Sequence, residues 1–208
     1  MRKLSYLFIA LGILIILFPK ANEWNEDRKQ SELLKEAEVL NPSIIDGYKR
    51  LSSKLAENTS IETTRGPSVP ANETGPKQLP IATISINRID LKLPVLEGAT
   101  RDNMKHASVH MSETAALGQT GNAAIAAHRA RTAGRLFNRL NEVKIGDKIM
   151  INTKGEQYSY TVYKISIVAP TDVSVLKSFE NQKLLTLITC DPLVNPTHRL
   201  IVQARQST

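Results

Sequence analysis

Apolar positions occur first as one block and then as short bursts. Residues 4–18, LSYLFIALGILIILF, form the block, with Arg2 and Lys3 before it and Pro19 and Lys20 after it. Fifteen helical residues rise about 22 Å at ~1.5 Å each, short of a hydrocarbon core of roughly 30 Å. Snorkelling of Arg2, Lys3 and Lys20 and local thinning can close the gap. A cleaved signal peptide fits the same length, yet the exit LFPKANEWNE shows no small-x-small cleavage pattern. The block predicts an uncleaved signal anchor, a transmembrane helix over 1–20. The bulk of the chain then lies outside the membrane, because a large following domain is exported regardless of flanking charge.

Residues 21–57 are charged and helix-prone and predict a helical stalk. Leu33, Leu34, Ala37 and Leu40 share one face at spacings of three and four. Asn41 and Pro42 break that pattern, and Ser43 with Asp46 resembles a capping box for a second helix. Such a segment either stands in solvent or packs on the domain as an appendage. Residues 58–79 hold prolines, glycines and little that is apolar, a flexible linker. Asn58 and Asn72 head N-x-Ser/Thr triplets, which matter only in a glycosylating pathway.

From residue 80 the bursts are short and β-rich: IATISI, LKLPVLEG, HASVHM, AAIAAH, DKIMIN, QYSYTVYKISIVA, LLTLITC and RLIVQAR. Turn residues separate them, and helical patches intervene near 100–106 and at RLFNRLNEV. Eight such runs predict a mostly β domain over 80–208, a barrel or sandwich with short helices. A closed barrel has no free edge and can carry a groove on its wall.

Charge and cysteine count narrow the chemistry. Lys and Arg number 27 against 20 Asp and Glu, a net charge of +7 that suits either contact with anionic surfaces or an ordinary basic surface. Aromatics are scarce and no basic patch interleaves with them, which argues against nucleic acid as a partner. One cysteine excludes an internal disulfide. No HExxH or paired-cysteine spacing occurs, so neither a metal nor another cofactor is expected.

That cysteine, Cys190, ends the apolar run TLITC just before Asp191 and Pro192. A lone cysteine in a strand is ordinarily a small buried hydrophobe. At a strand end on an exported domain it can instead emerge at a groove rim, where a nucleophile needs a base or cation beside it. His128 ends GNAAIAAH, a second apolar run closing in a polar side chain, and is the first candidate. His110, in SVHM, is the second; His106 reads as surface and His198 as a loop residue. Arg199 returns nine residues after Cys190 through the turn-rich DPLVNPTH, which would set its guanidinium beside the thiol. A fixed cation there suits an oxyanion or a substrate carbonyl; an edge residue that discourages strand pairing is the other reading.

Together these segments resemble the sortases, cysteine transpeptidases of Gram-positive cell surfaces. TLITC at 186–190 matches the family's TLxTC motif, GNAAIAAH resembles its histidine strand, and RLIVQAR from Arg199 matches the strand carrying its arginine. LFNRLNEVKIGDKI and ISINRIDLKLPVLEG are similar to further family segments, so the resemblance spans roughly residues 80–205. It implies an eight-stranded β-barrel with Cys190 as nucleophile, His128 as general acid/base and Arg199 as oxyanion and substrate-positioning group. It also sets Thr189 and Ala127 against the substrate, with Ala127 standing where the family usually has glycine. The implied partners are secreted proteins bearing an LPxTG-like sorting signal and an amine of the peptidoglycan precursor.

Residues 57–80 carry no aromatic lid motif of the DPW or DPF kind. The stretch before KLLTLITC is too short for a long helical insert. The class A and class D patterns remain, D slightly favoured; Asp102 and Glu113 alone in the 100–121 loop do not suggest calcium. A hydrolytic cysteine peptidase and a non-catalytic, membrane-anchored wall-binding protein are the alternatives. An L,D-transpeptidase is disfavoured, since no His-Gly precedes the cysteine.

Overall fold

The computed structural model describes residues 2–39, 78–132, 134–179 and 181–207, and in the first stretch the side chains of residues 12 and 20–38. The expected second helix, most of the linker and both N-x-Ser/Thr triplets fall outside the described residues. Among the described residues no helix is long and apolar enough to cross a membrane. The side chains of residues 2–11 and 13–19, which carry the anchor expectation, lie outside them.

All eight β-rich runs form strands: β1 Ala82–Ile86, β2 Leu91–Glu97, β3 Ser108–His110, β4 Gly121–Ala126, β5 Lys148–Thr153, β6 Gln157–Val168, β7 Lys183–Asp191 and β8 His198–Gln206. They close into a barrel in the order β1-β2-β3-β4-β7-β8-β6-β5. Period-two alternation sends Ile84, Leu93, Ile125, Ile151, Leu187 and Val202 inward. Each such side chain, taken fully out of water, contributes about 1.5–3 kcal/mol. β6 serves two neighbours, pairing with β5 through residues 157–161 and with β8 from Tyr160 to Val168, and a bulge between Val162 and Lys164 interrupts the ladder with β8.

Helices are few. The patch near 100–106 becomes α2, Asn103–His106. The patch at RLFNRLNEV shrinks to one 3-10 turn, Leu140–Glu142. Leu136 sits at φ 46°, and Phe137, Leu140 and Val143 are all buried, so this segment plugs the barrel as a series of turns.

The first helix, α1, runs Arg2–Val39 and crosses the boundary that the sequence places at residue 20. Its second half packs on the domain instead of standing in solvent. Leu33 is only 5% exposed, against Leu96, Ala107 and Val109, with Met104 and Ala126 beside them. Polar contacts flank this plug: Glu26 meets His106 at 3.3 Å, Asp27 meets Arg135 at 2.5 Å, and Glu38 pairs with Lys92. His106 is therefore buried under α1, and its reading as a surface residue is corrected. Its own local sequence is polar; a distant helix covers it.

The loop before β4 is set by a close approach. Gly118 holds φ 78° and its N–H donates to the buried Tyr160 hydroxyl at 3.1 Å. A Cβ there would lie 2.1 Å from the Tyr158 ring. Gly118→Ala is expected to lower stability by roughly 2–4 kcal/mol through strain and overpacking, read as a fall in the urea midpoint. An unchanged midpoint would contradict this account of the loop.

Candidate active site

Strand register brings the three chemical residues to one rim. β4 and β7 run parallel with Ala126 beside Ile188, and Ala127 N–H extends that ladder to Ile188 O at 3.2 Å. Two residues further on, His128 comes level with Cys190. β7 and β8 run antiparallel with Cys190 directly opposite Arg199. Neighbouring strands lie about 4.8 Å apart, and directly paired Cβ atoms about 5 Å apart. Residues 123, 125, 185, 187, 200 and 202 face the core, so by alternation His128, Cys190 and Arg199 share the outer face. His128 is exposed, while Cys190 and Arg199 are half-buried.

The residues between them face the other way. Thr189 and Ala127 are 2% and 3% exposed and point into the barrel. Thr189 Oγ1 donates to Ala127 O at 2.9 Å, tying the end of β7 to the residue before His128. The expectation that both lie against the substrate is thus corrected for their side chains, which cannot reach the outer face. The methyl that Ala127 adds relative to glycine enters the core.

Electrostatics at the rim are arranged in pairs. Asp191, next to Cys190 but on the opposite face of β7, pairs with Arg129, Nη1 to Oδ1 at 2.5 Å, with side chains 10% and 21% exposed. Arg199 donates to His198 O at 3.0 Å and has no carboxylate partner among the described residues. Its charge is left free to face a developing oxyanion.

Two walls flank the rim. One is α1, whose Leu33 plug reaches Ala126. The other is the β6–β7 loop with its 3-10 turn Val173–Leu176. A buried polar clamp holds that loop on the outer face. Asn122 Nδ2 donates to Val175 O and Lys177 O at 3.0 and 3.2 Å, and Thr186 Oγ1 donates to Asn122 Oδ1 at 2.8 Å. Gln203 Nε2 adds a third bond to Val175 O at 3.1 Å. Asn122 and Thr186 are 1% and 0% exposed, so the loop satisfies polar groups that the barrel wall would otherwise bury unpaired.

The other histidines do not reach the rim chemistry. His110 Nδ1 faces both Glu97 carboxylate oxygens at 3.0–3.1 Å and Nε2 faces Ala115 O at 2.9 Å, a buried structural tie. His198 is the exposed first residue of β8, opposite Asp191. Reading along the chain missed Asn122, Arg129 and Asp191. Arg129 and Asp191 each directly follow a candidate residue, which is the signal that could have found them.

Comparison with known proteins finds relatives of one family. The family model described as the sortase domain matches residues 84–207. Sortase A of Bacillus anthracis is 28% identical over 94% of this chain and 89% of its own length. Sortase D of Bacillus subtilis is 24% identical over the full length of both. Among solved structures, a sortase D5 transpeptidase of Clostridium perfringens superposes with a TM-score of 0.58 at 30% identity, covering 64% of this chain and 82% of that one.

Two substitutions test the geometry. Arg129→Ala leaves the half-buried Asp191 carboxylate unpaired, at about 1–3 kcal/mol, read as a fall in the urea midpoint; an unchanged midpoint contradicts the pairing. Asn122→Ala removes two of the bonds that hold the loop and takes the 2.8 Å acceptor from the buried Thr186 hydroxyl, at about 1–3 kcal/mol. Amide exchange should quicken across 173–179 while β1 and β5 keep their protection, and uniform exchange would show that the clamp does not hold the loop.

Proposed function

The chain belongs to the sortase family, and from that premise we propose that it is a cysteine transpeptidase of class A or D type. It is held at the outer face of a Gram-positive cell membrane by residues 1–20, and it joins secreted proteins to a cell-wall amine. The observation that carries this reading is the pairing of Cys190 with Arg199 on the barrel's outer face, with His128 two residues beyond the last β4–β7 pair, Ala126 and Ile188.

A sorting signal of LPxTG type lies extended between α1 and the β6–β7 loop. The Cys190 thiolate adds to the carbonyl carbon of the signal's threonine, and the resulting oxyanion faces the Arg199 guanidinium. The threonine–glycine C–N bond then breaks, and the departing amine takes a proton from the His128 imidazolium. A thioester remains. The wall-precursor amine adds to that thioester and gives its proton to the now neutral imidazole. Collapse of the second tetrahedral intermediate forms the new amide and expels the thiolate. One residue acting as acid and then base returns the enzyme to its starting state. The anchor keeps this site near lipid-linked precursor and newly exported substrate.

The test is incubation of the full-length protein in detergent with an LPxTG peptide and a small amine, read by mass spectrometry. The ligated product is expected. Cys190→Ala should abolish it, and Arg199→Ala should lower turnover about 10²–10³-fold through loss of oxyanion stabilisation. Hydrolysis alone, whatever amine is supplied, would replace transpeptidation with peptidase activity; turnover by Cys190→Ala would end the thioester mechanism.

A further inference from the structure

The reaction above asks His128 to move a proton, yet among the described residues its ring makes no hydrogen bond. No carboxylate or carbonyl orients the imidazole, so its position rests on the backbone at either side. Upstream, that backbone is fixed to β7 through Ala127 N–H and Ala127 O. Downstream, His128 O accepts from Phe137 N–H at 3.1 Å, and the chain enters a hairpin closed by the Arg129–Leu136 bridge.

The tip of that hairpin rests on the N-terminal helix. Thr132 Oγ1 donates to Glu23 Oε1 at 2.8 Å, and Arg135 Nε donates to Asp27 Oδ1 at 2.5 Å. Among the described residues, every side-chain hydrogen bond made by residues 131–135 goes to α1. The helix is itself held, by buried Leu33 and by Glu26 against His106, whose side chains are 13% and 11% exposed. Arg135, with a side chain 15% exposed, is less screened than a free surface cation, and Asp27 is half open at 50%.

We propose that Glu23 and Asp27 of α1, with Thr132 and Arg135, are positioning residues for His128. The helix that leads the chain to the barrel is in this view a working part of the catalytic domain, the far post of the hairpin that carries the proton-transfer group. This rests on the reading of His128 as acid and base. The substrate floor on β4, β7 and β8 is built without these contacts, and the α1 wall stays seated through Leu33 and Glu26, so their loss acts on the chemical step more than on binding.

The full-length protein tests this with Asp27→Ala, Arg135→Ala, the reciprocal exchange Asp27→Arg with Arg135→Asp, and Thr132→Val as a milder cut. Each single change should lower kcat about three- to tenfold with KM within about twofold, because a small misplacement of a reacting group is costly while uniform binding is untouched. Amide exchange across 129–136 should rise in parallel, and the exchanged pair should recover both. Wild-type kcat in the folded single variants overturns the proposal, whether or not the hairpin loosens, and so does an exchanged pair that restores neither. Where a single variant melts early, Thr132→Val supplies the same comparison. A separate His128→Ala variant distinguishes the two readings: its retained activity removes His128 from the mechanism, whereas its inactivity beside fully active α1 variants removes only the role of the helix.

Discussion

A slip of one residue between β4 and β7 would turn His128 into the barrel and leave Cys190 outside. The candidate site exists only because two registers agree: the parallel ladder that sets Ala126 beside Ile188 and the antiparallel ladder that sets Cys190 opposite Arg199. Side chains alternate with a period of two, so register and chemistry are one constraint. The core enforces it. Leu185 and Leu187 on β7 and Ala123 and Ile125 on β4 are at most 1% exposed, and a slipped strand would turn Thr186 or Asn122 into the core in their place. Thr189 adds a local lock at the end of the ladder, where the apolar grip runs out.

β7 is also covered on its outer side. Leu184 and Thr186 face outward by alternation, yet they are 2% and 0% exposed under the β6–β7 loop. This double burial is why its sequence reads as a near-continuous apolar run. The cover stops short of the strand's end, so Ile188 and Cys190 are half-buried. Exposure of the thiol thus follows from where the loop and its Asn122 clamp end.

The barrel was legible because each strand's pattern is a local property. Ile84 and Ile86, or Ile149 and Ile151, announce their face within five or six residues. Cys190, His128 and Arg199 were legible for a related reason: each is a polar or reactive residue closing or opening an apolar run. The resemblance sets Thr189 against substrate, but as Cys190's neighbour in the strand its side chain takes the opposite face. The packing of α1 was open to two readings, since a charged amphipathic segment looks the same in water as on a wall. His106 was misread for the same reason, its cover being supplied by Glu26, eighty residues away. The clamp on the β6–β7 loop was illegible because Asn122, Thr186 and Gln203 lie on three different strands and meet only after the barrel closes.

The distribution of charge at the rim follows the same logic of pairs completed across distance. Asp191 directly follows Cys190 and turns to the other face of β7, where Arg129, which directly follows His128, meets it. The cost of partly burying that pair is offset by short contact and by Arg129 Nε reaching toward Asn138 O at 3.4 Å. Among the described residues the Arg199 guanidinium, on the strand position paired with Cys190, has no carboxylate partner. An enzyme that stabilises a charge present only in the transition state needs such an unsatisfied group in its ground state. This cation beside the paired Arg129 and Asp191 is where the rim departs from simple electrostatic satisfaction, and it is the departure that the proposed acyl transfer requires.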